Sequence, residues 1–307
     1  MVDTRGVRKL IGAAAFGMLV AVAFCQQPKP QSAPSWQSAA AQAAHMAPEA
    51  RVIILDVATG RLLAASHLAE AARTLAAPGS TLKPLVLDGL VASGRWDPAR
   101  RVACNRKLRI AGRSLNCSHP PAEPMDARQA LTWSCNTYFA TVAGTLAPGE
   151  LRAMLARTGM LSQTGLAPEE ATAEFRDPET PDENRLRLLG VDGIRVSPLE
   201  LAMAYRWLAL QLGVHASSTA AQVVRAGLAD SASFGMAGAA GLGGVPVAGK
   251  TGTAAAATGG QTHGWFVGLA PASAPSVAIA VYLPAGHGAD AARVAAELLA
   301  HSPLRRP

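Results

Sequence analysis

Two residues that could perform nucleophilic chemistry, Ser80 and Lys83, stand one helical turn apart. A serine hydroxyl attacks a carbonyl only when a neighbouring base takes its proton, and a lysine can be that base when burial keeps its amine partly neutral. The turn signal Pro78-Gly79 precedes an apolar stretch that ends near Val91, so Ser80 is predicted near the start of a buried helix. This spacing predicts an activated serine. Taken alone, the pattern is more often a helix cap beside a solvated lysine.

Two further polar clusters follow along the chain. Ser134 and Asn136 flank a cysteine between two predicted helices, where a hydroxyl could relay a proton and an amide could hold an acyl chain. The third cluster lies on a predicted strand and consists of Lys250, Thr251, Gly252 and Thr253. Its lysine could hold a substrate carboxylate, and its glycine lets a substrate backbone approach. A helix cap would explain the second cluster alone, and a surface lysine would explain the third. The occurrence of all three clusters in this order is what predicts an active site.

The three clusters resemble the active-site motifs of the transpeptidase domain of penicillin-binding proteins, in the serine D,D-peptidase and β-lactamase-like superfamily. The resemblance covers roughly residues 48–305 and extends to Ser197-Pro198 and to the segment from His263 to Gly268. It implies an α/β (α+β) fold of the β-lactamase/transpeptidase type. In such a fold, a mixed antiparallel sheet is flanked by helices and carries an inserted helical subdomain.

The resemblance implies a role for each residue of the first two motifs. Ser80 would attack the carbonyl of a D-alanyl-D-alanine stem peptide of peptidoglycan, or of a β-lactam that mimics it, and Lys83 would take its proton. Ser134 would pass that proton toward the leaving group. Asn136 would hold the substrate amide and orient Lys83.

The third motif would bind substrate. By resemblance, Lys250 and Thr251 hold the terminal carboxylate, while Gly252 and Thr253 continue the strand edge. The backbone N–H groups of Ser80 and Thr253 would form the oxyanion hole. The resemblance implies no metal ion and no organic cofactor.

Three functions within this family remain open from the sequence. The first is a D,D-transpeptidase or D,D-carboxypeptidase, and the second is a class D-like β-lactamase, which also needs a group that activates water for deacylation. Asn136 resembles the penicillin-binding proteins more than class D enzymes, which usually carry an apolar residue there. The region 164–190 contains candidate carboxylates at Glu169, Glu170, Glu174 and Asp177. The third is a sensor that binds penicillin or peptidoglycan without turnover.

Composition and net charge limit the classes of binding partner that can be expected for this chain. The 307 residues are 50% apolar, enough for a substantial core, and the net charge is +7. The basic residues are scattered and no nucleic-acid motif accompanies them, so no nucleic-acid partner is predicted. The charge is typical of a basic exported protein, and it would favour contact with anionic envelope polymers. Protein partners are not predicted.

The N-terminus indicates export. Arg5, Arg8 and Lys9 precede an apolar run over residues 10–24, which predicts a signal peptide or membrane anchor over residues 1–25. Lipidation of Cys25 is a less favoured alternative. Residues 26–48 are rich in Gln, Pro, Ser and Ala and are predicted to be a flexible linker, followed by one catalytic domain over 49–305. The expected location is the periplasm or the outer face of the inner membrane.

The sequence predicts a possible disulfide for the cysteines and no catalytic or metal-binding role for the histidines. Cys104 and Cys117 could form a disulfide in an oxidising envelope, with reduced thiols or an incomplete metal pair as alternatives. Cys135 is predicted to be a small buried residue. Neither His119 nor His263 is assigned a catalytic role, and no histidine pair has metal-ligand spacing, so no metal site is predicted.

Strands are expected at 51–57 and 61–66 and again within 246–283, with helices at 80–92, within 126–160, from Ser197 to about Leu212, and at 290–300. The polar, Pro-rich stretch 164–190 is expected to be a long loop. Strands from both chain ends would therefore share one sheet, with the helical region inserted between them.

Overall fold

The structure is a computed structural model, and it describes residues 34–120, 123–256 and 260–305. Within these ranges the helices are α1 (Trp36–Met46), α2 (Leu68–Arg73), α3 (Lys83–Ala92), α4 (Ala127–Thr132), α5 (Asn136–Ala143), α6 (Glu150–Arg157), α7 (Pro181–Leu188), α8 (Pro198–Val214), α9 (Thr219–Ser233) and α10 (Gly288–Ala300). The strands are β1 (Arg51–Asp56), β2 (Leu62–Ser66), β3 (Arg109–Ile110), β4 (Arg113–Ser114), β5 (Glu174–Phe175), β6 (Ile194–Arg195), β7 (Ala248–Ala255), β8 (Thr262–Ala270) and β9 (Val277–Leu283). Short 3₁₀ turns span Gly79–Leu82 and Gly238–Gly243.

Five strands form one antiparallel sheet in the order β2-β1-β9-β8-β7. The N-terminal strand β1 pairs with the C-terminal strand β9, and β7 lies at one edge. The helices α3 to α9 come between β2 and β7 in the chain and build most of the helical region. This arrangement confirms the predicted fold class.

Both faces of the sheet are covered, which explains the nearly continuous apolar character of its central strands. Val52 and Ile54 of β1 pack in the same buried cluster as residues of α1 and α10. Ile53 and Leu55 point to the opposite face, where they join a cluster that includes α8 and the helical region. Every residue of β9 is buried. The sheet is therefore a rigid platform for its edge strand β7.

The structure differs from the flexible linker predicted over residues 26–48, because the second half of that segment forms α1. Ser35 and Ser38 cap the helix reciprocally, and Ala39, Ala40 and Ala43 are buried. Alanine has the highest helix propensity, and its small side chain lets a helix approach its neighbours closely. The low-complexity composition concealed a helix that packs on α10.

Removal of α1 should therefore destabilise the domain. A chain that begins at residue 48 is expected to unfold roughly 2–8 °C below one that begins at residue 34, because the apolar surface under α1 becomes exposed. Thermal unfolding followed by circular dichroism measures the difference. Equal unfolding temperatures would support the linker and contradict the packing of α1.

Other element predictions had mixed outcomes. The reciprocal cap between Ser197 and Glu200 begins α8, as its sequence predicted. The stretch 164–190 is not one loop, because it contains β5 and α7, and Thr180 caps α7. Among the described residues, no helix has the length and hydrophobicity required to cross a bilayer. The predicted signal or anchor at 1–25 lies outside the described residues.

Candidate active site

The predicted nucleophile lies on a tight turn that leads into α3. The 3₁₀ turn Gly79–Leu82 starts with a left-handed glycine, at φ +56°, and the Lys83 N–H donates to the Ser80 carbonyl. Residues i and i+3 eclipse each other in a 3₁₀ turn, so both side chains project to the same side. Ser80 is half-buried, whereas Lys83 is completely buried. The structure thus presents a partly exposed serine one turn before a desolvated amine.

Three buried side chains hold this turn in place. Trp265 Nε1 donates to the Ala77 carbonyl at 2.9 Å, and His263 Nε2 lies 2.8 Å from the same oxygen. Tyr205 Oη donates to the Thr81 carbonyl at 2.9 Å. These positioning residues were not predicted from the sequence. Their only signal was a polar atom on a side chain in an otherwise apolar element, since such atoms usually find a partner when buried.

Ser134 sits in a strained turn between α4 and α5. Its φ is +55°, a left-handed conformation that is uncommon outside glycine and costs on the order of 1–2 kcal/mol. In this position its Oγ accepts from Lys250 Nζ at 2.8 Å and from Lys83 Nζ at 3.3 Å. One hydroxyl therefore connects two lysines that are far apart in sequence.

Asn136 orients the predicted base. Its Oδ1 accepts from Lys83 Nζ at 2.7 Å, and its Nδ2 donates to the Leu115 carbonyl at 3.0 Å. Lys83 Nζ also donates to the Ser134 carbonyl at 2.8 Å. This geometry fits the orienting role that the resemblance implied for Asn136. A contact between Asn136 and the substrate amide stays a prediction.

Burial perturbs the protonation of both lysines. Burial lowers the pKa of Lys83 to about 8, and the electrostatic interaction with the ionisable Cys135 and Cys117 sulfurs partly offsets that effect. Burial also holds the pKa of Lys250 well below its usual value, and the charge of Lys83 lowers it further. Two ammonium groups that share Ser134 repel each other in a desolvated site. A neutral amine is therefore accessible near neutral pH, as proton abstraction requires.

The edge strand β7 lies directly against the nucleophile turn. Gly252 permits this contact, because a Cβ at that position would come within 2.5 Å of the Pro78 carbonyl oxygen. A Cβ at Gly79 would lie 3.0 Å from both the backbone N and O of Thr253. The Thr253 backbone therefore borders the residue that precedes Ser80. This proximity is what an oxyanion hole made of both backbone N–H groups needs.

The fold places the third motif, Lys250 to Thr253, at the site, and its residues differ in solvent exposure. Lys250 is completely buried and also donates to the Thr251 carbonyl at 2.8 Å. Thr251 Oγ1 lies 3.3 Å from the Met236 carbonyl, and Thr253 is exposed. Lys250 thus donates a hydrogen bond to Ser134 within the site. Its contact with a substrate carboxylate stays a prediction.

The expected disulfide between Cys104 and Cys117 does not form in the structure. Both are free thiols, and their sulfurs lie 3.5 Å apart. Cys135 is fully buried, as predicted, but it is more than a filler, since its Sγ lies 3.9 Å from Cys117 Sγ. The three cysteines and His119 form one group, which was not predicted from the sequence.

Comparison with known proteins identifies the family. The sequence matches the family described as "Penicillin binding protein transpeptidase domain" over residues 50–302, most of the chain. The chain belongs to this family. A search of curated proteins found no match.

Solved structures similar to this transpeptidase domain share its fold. A peptidoglycan glycosyltransferase from Burkholderia ambifaria is 21% identical with a TM-score of 0.75, covering 86% of this chain and 92% of that one. The transpeptidase domain of penicillin-binding protein 3 from Burkholderia pseudomallei is 22% identical with a TM-score of 0.74, covering 90% and 96%. PBP2 from Pseudomonas aeruginosa, in complex with WCK 5153, is 22% identical with a TM-score of 0.73, covering 86% and 76%.

Proposed function

We propose that this transpeptidase domain is a serine acyltransferase of the cell envelope, a D,D-transpeptidase or D,D-carboxypeptidase that acts on D-Ala-D-Ala stem peptides and binds β-lactams. The observation that carries the proposal is the shared hydroxyl of Ser134. It accepts from both Lys83 and Lys250, while Lys83 is buried one turn after the accessible Ser80. This arrangement allows a proton to be taken from the Ser80 hydroxyl by Lys83 and delivered through Ser134 to a different atom.

In the proposed acylation, neutral Lys83 takes the proton of Ser80 as its oxygen attacks the substrate carbonyl. The oxyanion that forms would be held by the backbone N–H groups of Ser80 and Thr253, each worth about 3 kcal/mol. The proton returns through Ser134 to the nitrogen of the leaving D-alanine, and the carbon–nitrogen bond breaks. An acyl-serine ester remains, which water or an acceptor amine then attacks.

The surroundings favour a long-lived penicillin adduct over a class D-like β-lactamase. The four candidate carboxylates of the region 164–190 already have partners. Glu169 pairs with Arg73, Glu170 accepts from Thr164, Glu174 pairs with Arg195, and Asp177 pairs with Arg152. None of these contacts involves the nucleophile turn. This arrangement supports slow hydrolysis of the acyl-serine.

We also propose that the domain works outside the cytoplasm. The predicted signal or anchor at residues 1–25 supports export, and the proposed peptidoglycan substrate is located in the envelope. Retention by the membrane would depend on whether that segment is cleaved.

Acylation and release of a fluorescent penicillin test the proposal. We expect an adduct of one penicillin per chain, located on the peptide that contains Ser80 and stable for many minutes, and no adduct on the Ser80→Ala control. Loss of the label within seconds with hydrolysis of the drug would establish a β-lactamase instead. Absence of a Ser80-dependent adduct would reject the acyl-serine chemistry, and a stable adduct without any release of D-alanine from a stem peptide would favour a sensor.

The rate of acylation should depend on pH through Lys83. Only the neutral amine accepts a proton, so the rate constant is expected to rise with pH and to level off above a pKa of about 8. At pH 6 the rate would be about 100-fold below the plateau. Stopped-flow acylation between pH 6 and 9.5 measures the profile, with buffer hydrolysis of the drug as the control. A profile that is flat or falls across this range would contradict the role of Lys83 as base.

A further inference from the structure

Beside the active site, four potential metal ligands converge from three parts of the chain. Cys104 precedes β3, Cys117 and His119 follow β4, and Cys135 caps the N-terminus of α5. Their ligand atoms all lie within 4.8 Å of one another. Cys104 is half-buried, and the other three are at least 95% buried.

Three of the six separations between the ligand atoms match those around a tetrahedral zinc ion. Zn–S bonds of about 2.3 Å and a Zn–N bond of about 2.0 Å would set two sulfurs about 3.8 Å apart, and a sulfur and a nitrogen about 3.5 Å apart. The structure has Cys104 Sγ and Cys117 Sγ at 3.5 Å, Cys117 Sγ and Cys135 Sγ at 3.9 Å, and Cys104 Sγ and His119 Nε2 at 3.6 Å. One ion could therefore contact all four ligands with little rearrangement.

The groups around the cluster prepare these ligands for a metal. His119 Nδ1 lies 2.6 Å from the Pro120 carbonyl, so it donates there and leaves Nε2 unprotonated toward the sulfurs. The backbone N–H of Asn136 donates to Cys117 Sγ at 3.1 Å, and that of Tyr138 donates to Cys135 Sγ at 3.4 Å. Donors of this kind stabilise negative thiolate sulfur, which is the form that binds metal.

We propose that Cys104, Cys117, His119 and Cys135 bind one structural zinc ion. Three sulfur ligands and one imidazole nitrogen form a Cys₃His set, which selects Zn²⁺ among the common divalent ions. Each cysteine releases its thiol proton when it binds the ion. A disulfide between Cys104 and Cys117 would use only two of the four groups and would leave Cys135 and His119 without a shared partner.

The ion would position the second catalytic motif. Cys135 stands between Ser134 and Asn136, so a bond from its sulfur to the metal ties that turn to the segment 104–119. Asn136 is held to the same segment through its contacts with Cys117 and Leu115. Zinc therefore fixes the residues that orient Lys83 without contacting the substrate itself.

Metal analysis of the full chain tests the site. Protein prepared in reducing buffer and equilibrated with zinc chloride is expected to retain about one equivalent of zinc after dialysis. Cys104→Ser and His119→Ala should lose it, whereas His301→Ala, a change of an exposed histidine outside the cluster, should retain it. Wild-type protein without bound zinc, or variants that keep one equivalent, would overturn the proposal.

Cobalt provides a test that needs no variant, in case the substitutions prevent folding. Wild-type protein loaded with Co²⁺ should show thiolate-to-metal charge-transfer absorption and the strong visible bands of tetrahedral cobalt. Chelation should lower the unfolding temperature and slow penicillin acylation about tenfold, and zinc should restore both. Spectra without thiolate bands, or an unfolding temperature unchanged by chelation, would reject a structural site. The metal assays do not depend on acyl transfer. Failure of the proposed acyl-Ser80 chemistry would therefore leave their results unchanged.

Discussion

Replacement of Lys83 by alanine is expected to lower the second-order rate constant of penicillin acylation by about 10²–10⁴-fold, the range that general-base catalysis contributes. The amine is completely buried, has a lowered pKa, and is aimed by Asn136 Oδ1 and the Ser134 carbonyl. No other described group combines these properties with a position one turn after Ser80. The rate is measured by stopped-flow labelling with a fluorescent penicillin.

Two comparison variants separate the base from other roles of Lys83. Lys83→Arg keeps a positive charge but cannot lose its proton near neutral pH, so it should be as slow as Lys83→Ala. Lys107→Ala removes an exposed lysine and should acylate at the wild-type rate. Circular dichroism must show that each variant is folded. Activity of Lys83→Arg within tenfold of wild type would show that charge, and not proton abstraction, is what Lys83 supplies.

Gly252→Ala is expected to reduce acylation by about 100-fold while the domain stays folded. The added methyl group would lie 2.5 Å from the Pro78 carbonyl oxygen and 2.9 Å from Thr81 Cγ2, so the nucleophile turn and β7 must separate. A displacement of about 1 Å at a reacting centre can cost this much in rate. The separation should also move Thr253 away from Ser80 and weaken the oxyanion hole.

The matched control is Gly213→Ala. A Cβ at Gly213 meets nothing within 4 Å, and the residue lies near the end of α8, where alanine is the better helix former. Both variants are compared by labelling rate and by thermal unfolding. If Gly252→Ala acylates as fast as Gly213→Ala, the contact between β7 and the turn is not what aligns the site.

Sequence patterns predicted the elements whose signal is local. The apolar segments at β8 and β9 and the reciprocal cap of Ser197 with Glu200 needed no knowledge of distant residues, and the structure has them where they were expected. The three motifs could be recognised for the same reason, since each is contiguous. What the sequence could not provide was their mutual geometry, such as one hydroxyl shared between Lys83 and Lys250.

The missed features depend on contacts between distant segments. The group of Cys104, Cys117, His119 and Cys135 has no regular ligand spacing, and only the folded loop brings the four together. The helix α1 was missed because its alanines resemble a linker until α10 is present to cover them. Arg187 of α7 is completely buried. Its burial could not be predicted, because the surrounding stretch is polar and rich in proline.

The pairing of β1 with β9 has a consequence for how this chain is made. Residues 51–56 pair with residues 277–282, so the centre of the sheet cannot close until synthesis has passed residue 282. Contacts between segments so far apart slow folding, because a long loop must be closed before the pairing stabilises it. An intermediate that lacks β9 exposes the edge of β1 and its apolar faces. Chains interrupted before residue 277 are therefore expected to aggregate or be degraded, because β1 lacks its partner strand.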